Sequence, residues 1–196
     1  PYTIMGYKVP VLKTAQEKWE PYALAVLAGI LDGGDSARFT RELVRGSQIA
    51  TDAGAGYDLY DRQDSLFLLD GTPAGTHTID EVQQALLQQL QRLKDKPVDA
   101  DELARVKSRV VADAVYEQDS VFYQAMKIGK LEAIGLDWRL ADEYVERINA
   151  VTAEQLQAVA SKYLVDKYLT VAQLDPLPME NGSKSAQVSA GGAHDH

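Results

Sequence analysis

Few residues in this sequence could do chemistry. There are three histidines, His77, His194 and His196, and no cysteine. A histidine works as a general base when a carboxylate or a nucleophile orients it. His77 stands alone between a strand and a helix start, so it reads as an exposed loop residue. His194 and His196 flank Asp195 at the C-terminus. Such a pair can pick up a metal ion, but a polar tail offers no preorganised site. The sequence contains no H-E-x-x-H, no inverted H-x-x-E-H and no G-x-S-x-G. Without cysteine there is no disulfide or thiolate chemistry, and the redox compartment stays open. The carboxylates at Asp95, Asp99, Asp101 and Glu102 sit around helix starts, where capping and the helix dipole account for them. No residue is assigned a catalytic role, and none is assigned to a metal.

The most informative stretch is GGDSARFTRELVRGSQIATDAGAGY, from Gly33 to Tyr57. It reads as a glycine pair, a short helix capped by Ser36, a turn at Gly46 and a strand. Alternation places Thr51, Ala53, Ala55, Tyr57 and Leu59 on one face of that strand. A glycine-rich approach to a helix invites a phosphate-loop reading, because free N–H groups at a helix start bind anions. The Lys-Ser/Thr pair that the phosphate loop requires is missing. A tight turn packing helix against strand explains the glycines instead, with Asp32 and Asp35 as turn residues.

The elements that must position these residues follow from periodicity. Tyr2 to Val9 is a strand that stops at Pro10. Thr14-Ala-Gln-Glu17 has capping-box spacing and predicts a helix through Leu31. After the strand from Ile49 to about Tyr60 comes a second short one, Ser65 to Leu69. Two further capping boxes, at Thr78 and Thr152, open amphipathic helices. Between them Asp99 caps one helix, Asp119 begins another and Trp138 to Ile148 forms a third. Tyr168 to Leu174 is a final strand. The order predicts an α+β fold with a split βαβ, ferredoxin-like core. Its antiparallel sheet has about four strands, with helices on one face and extra C-terminal helices. Residues 1–175 form this domain, and 176–196 read as a disordered polar tail.

Composition narrows the function. The 196 residues are 45% hydrophobic and 25% charged, ordinary globular values. A formal charge of -9 argues against a nucleic-acid partner, which needs clustered Lys and Arg. No apolar run approaches the roughly 20 residues of a membrane span. A chain that opens at Pro1 and enters a strand at once reads as an excised piece of a longer protein, whose targeting signal would lie elsewhere.

Several segments together resemble the C-terminal domain of the insulinase/pitrilysin family of zinc peptidases, in its bacterial, processing-peptidase-like form. They are GGDSARFTREL followed by a Q-I-A strand, Gly6-Tyr7-Lys8-Val9-Pro10, Pro21-Tyr22-Ala23-Leu24, Asp99 to Leu103, and ERINAVTAEQLQAVASKYL. The resemblance spans about residues 2–175. It implies a parent built from two similar α+β halves that help enclose an unfolded peptide substrate. Zinc and the general base would lie in the parent's N-terminal domain, and this domain would pack against it. The family also uses an arginine and a tyrosine seven residues apart to hold substrate. Aligning Ser36, Arg38, Phe39, Leu43 and Ile49-Ala50 puts Val44 and Thr51 at those positions. Arg45 and Tyr57 have the wrong spacing and do not inherit the role. Gly33, Gly34 and Arg38 are then architectural. The missing pair implies that the parent is the zinc-bearing subunit, completed by a homologous partner. A non-catalytic scaffold parent and a stand-alone anion-binding module remain as alternatives. Bacterial relatives imply a periplasmic address.

Overall fold

The structure is a computed structural model and describes residues 1–176. The tail expected over 176–196, with His194, Asp195 and His196, lies beyond Pro176 outside the described residues. Four strands form one antiparallel sheet: β1 (Tyr2–Val9), β2 (Ala50–Gly56), β3 (Ser65–Pro73) and β4 (Leu169–Leu174). Their spatial order is β2-β3-β1-β4, so the first strand lies between the third and the last. The α+β fold expected from element order is the one observed.

Alternation decides which face of the sheet is covered. Thr3, Met5, Tyr7 and Val9 of β1 and Phe67, Leu69 and Gly71 of β3 are buried under helices. On the opposite face Ile4 and Leu68 are half-covered and Leu66 is exposed. Three helices, α1 (Glu20–Asp32), α2 (Ile79–Asp95) and α6 (Ala153–Tyr163), pack on the buried face and on one another. Outside them lie α3 (Ala100–Gln118), α4 (Val121–Ile134) and α5 (Leu140–Ala150). Thr78 and Thr152 close full capping boxes with Glu81 and Gln155, as their spacing predicts.

The box expected at Thr14 does not form. The Thr14 hydroxyl instead accepts from the Val11 N–H at 3.0 Å, and α1 begins only at Glu20. Pro21 explains the shift. Inside a helix it lacks an N–H and clashes with the carbonyl four residues back, whereas in a first turn it costs nothing. Glu20 is then buried at the head of α1, where it accepts from Lys162 Nζ at 2.6 Å and the Tyr163 hydroxyl at 2.9 Å. The Glu20 carboxylate drives the Lys162 ammonium pKa upward, and the contact fastens α6 to α1.

Further boundaries move for local reasons. The helix beginning after the glycine pair is a π-helix, Phe39–Gly46, with no side-chain cap from Ser36. Its wider turns carry one extra residue each, which closes the helix with the Ser47 N–H on the Glu42 carbonyl. Strand β3 runs on to Pro73, past the expected end at Leu69. The cap of α4 is Ser120, whose side chain accepts from the Tyr123 N–H, not Asp119.

Gly71 marks where helix and sheet touch. A Cβ there would stand 2.7 Å from Val82 Cγ1 of α2. Gly71→Ala is expected to cost about 1–3 kcal/mol through overpacking. Combining it with Val82→Ala should cost less than the sum of the two single changes, as read from urea midpoints. Simple additivity would show that this contact does not set the helix–sheet spacing.

Candidate functional site

The site singled out in the sequence is the junction between the π-helix and β2. It is held from several sides. Arg38 makes a two-pronged contact with Glu102 of α3, at 3.0 and 2.6 Å, with both side chains largely buried. Glu42 is clamped by Arg41 at 2.7 Å, Gln89 at 2.9 Å and Arg92 at 2.5 Å. Burial pushes the Glu42 carboxyl pKa up, but the bonds from Arg41 and Gln89, with Arg92 close by, outweigh it and leave it below the usual carboxylate range. Phe39 and Leu43 turn inward to the core.

The glycine pair is structural. A Cβ on Gly33 would lie 2.3 Å from the Gly29 carbonyl oxygen. Gly34 has a φ of 96°, and a Cβ there would collide with the Arg109 guanidinium at 2.5 Å. The Ala37 N–H is already bonded to the Gly34 carbonyl. The chain leaves the π-helix through Gln48, whose φ of 54° is left-handed.

Strand β2 corrects the expected alternation. A register shift lies between Ala50, opposite Pro73, and Asp52, opposite Thr72. Thr51 is the extra residue of this bulge, so the buried positions are Ala50 and Ala53. Thr51 is exposed, and its hydroxyl donates to the Thr72 carbonyl at 3.3 Å. Val44 is half-buried and packs against the core. Neither side chain carries a charge or a phenol with which to grip a peptide.

The neighbours with the right chemistry are occupied. Arg45 pairs with Asp35 at 2.9 Å on the surface. The Tyr57 hydroxyl donates to the Pro10 carbonyl at 2.7 Å, and its ring stacks on Phe67. Burial pushes the Tyr57 phenol pKa far up, with Asp58 adding to the effect. Tyr57 and Leu59 lie beyond the end of β2, in the connection to β3. Asp32 bonds the Ala55 N–H at 3.2 Å, and burial raises its carboxyl pKa.

His77 is less isolated than its sequence context suggests. Its Nδ1 lies 3.4 Å from Glu81 Oε2, although that carboxylate already closes the Thr78 capping box. Among the described residues there is no group of three or more His, Cys, Asp or Glu side chains that could hold a metal ion. A cleft beside α4 was not singled out from sequence.

Comparison with known proteins agrees with this geometry. Residues 1–110 match the sequence model of the family described as the peptidase M16 inactive domain. The uncharacterized zinc protease YmxG of Bacillus subtilis is 22% identical over 147 residues, 75% of this chain and 36% of that protein. An inactive peptidase domain from Bordetella parapertussis superposes with a TM-score of 0.78 at 20% identity, covering 94% of both chains. A protease from Helicobacter pylori gives 0.77 at 23% identity, covering 87% of this chain and 40% of that one. The chain therefore spans little more than a third of the curated relative it matches. With the family model matching more than half of its length, the chain belongs to the peptidase M16 inactive-domain family.

Proposed function

We propose that this domain is the non-catalytic, chamber-forming half of a zinc-dependent peptidase. It packs against an N-terminal domain that carries the zinc and the general base, and it helps enclose an unfolded peptide. The family match supports this reading, together with what stands at the two positions where the resemblance implies a substrate-holding pair. Val44 faces the core and Thr51 is spent on a β-bulge, so this half does not grip substrate through those positions. A homologous partner subunit supplies the grip, and the assembly works in the periplasm.

The test is peptide hydrolysis by the full-length parent, with and without a chelator and with its partner subunit added. Cleavage that needs the partner and is lost on chelation is the expected result. Absence of cleavage and of bound zinc under all of these conditions would instead favour a scaffold subunit.

A further inference from the structure

Helix α4 has two apolar sides and is packed by one of them. Leu131 is its single buried residue, with Lys127 and Ile134 half-buried on the same side. On the opposite side Phe122, Ala125, Met126, Gly129 and Ala133 recur at spacings of three, one, three and four. That is the pattern of a helix face turned toward a core. All five are exposed, Phe122 by 67% and Met126 by 54%. Val121, Tyr123 and Ile128 widen the patch, and none of these eight residues is charged.

Gly129 points the same way independently. Glycine inside a helix costs stability relative to alanine, and it suits places where another backbone must come close. The domain itself has no need of it: among the described residues, a Cβ there would meet nothing within 4 Å beyond its own helix turn. Ala125 and Ala133 stand one turn to either side. The three small residues leave a shallow track beside Phe122 and Met126 along which a second element can approach.

We infer that this face of α4 seats the remaining half of the parent protein, with an apolar segment of that half crossing close over Gly129. Most of the length of YmxG and of the Helicobacter pylori protease lies outside the region this chain covers. A half joined to the domain through its own backbone has an effective concentration on the order of millimolar, and it reaches the patch before a second copy does. An uncharged patch rich in aromatic residues and Met has the composition of a lasting interface core, whereas a substrate peptide must come and go. The inference rests on the reading of this chain as one half of a longer protein, but it requires neither zinc nor cleavage. A parent that cleaves without this contact and a parent that makes the contact without cleaving are therefore told apart.

Thermal unfolding of Gly129→Leu in two settings tests the inference. In the 196-residue chain alone the variant is expected to gain about 2 °C, because leucine favours the helix and its side chain meets open space. In the full-length parent the same side chain blocks the approach, and the melting temperature should fall by roughly 5 °C. Benzoylphenylalanine in place of Phe122 in the full-length parent should, on illumination, crosslink to the half outside this chain, as mapped by mass spectrometry. A shift of the same sign in both settings would overturn the inference. So would a crosslink confined to residues 177–196, a crosslink only to a second copy, or none at all.

Discussion

Phe39→Ala is expected to lower the unfolding free energy by about 3–5 kcal/mol, the range for deleting a buried aromatic ring. Phe39 is 0% exposed and opens the π-helix, so its ring anchors the junction to the core. At about 2–4 °C per kcal/mol for a domain of this size, the melting temperature should fall by roughly 10 °C. Thr51→Val, at the exposed bulge, should stay within about 0.5 kcal/mol. A loss below about 1 kcal/mol for Phe39→Ala would show that the π-helix does not depend on this anchor.

The second large effect is alkaline unfolding. Tyr7 is 1% exposed beneath the helices, and burial, with Asp166 adding to it, pushes its phenol up to about 12. In the unfolded chain the phenol ionises near its ordinary value of 10.0. Between these two values the unfolded state has lost a proton that the folded state keeps. Stability from this group is therefore complete below pH 10 and lost as pH rises toward 12. The two-unit gap corresponds to something on the order of 2–3 kcal/mol. Tyr7→Phe should flatten the decline in urea-unfolding free energy between pH 10 and 12. Tyr57, also raised by burial, contributes in the same direction and should leave a residual slope. An unchanged profile in Tyr7→Phe would show that Tyr7 ionises normally in the folded chain.

Much of the fold was legible because the signals were local. Thr78 and Thr152 cap helices by their own side chains, and neighbouring packing does not alter that. The presence of four strands followed from alternating residues and from where the turns fall. What was not legible depended on competition. Thr14 has the spacing of a cap, but Pro21 sets where the helix starts. Thr51 fits an alternating face, but a bulge removes it from the ladder, and no residue type announces a bulge. The π-helix likewise preserves the inward side chains Phe39 and Leu43 while changing the turns between them.

The candidate site divides in the same way. Val44 and Thr51 could be located by motif, but Val44's packing against the core and Thr51's bond to Thr72 depend on other elements. The partners of Arg45 and Tyr57 are ten and 47 positions away in the chain and leave no sequence signal.

The position of β1 between β3 and β4 has a consequence for synthesis on the ribosome. Tyr2 pairs with Leu174 and Tyr7 with Leu169, so the earliest strand of this sheet must wait for its latest. At typical elongation speeds roughly ten to thirty seconds separate the two. Throughout that interval one edge of β1 has no backbone partner, although β3 and the early helices are already available to cover its inner face. A nascent chain can therefore gather its core before it can close its sheet, and the open edge is where it would pair with a neighbouring nascent chain if closure were delayed.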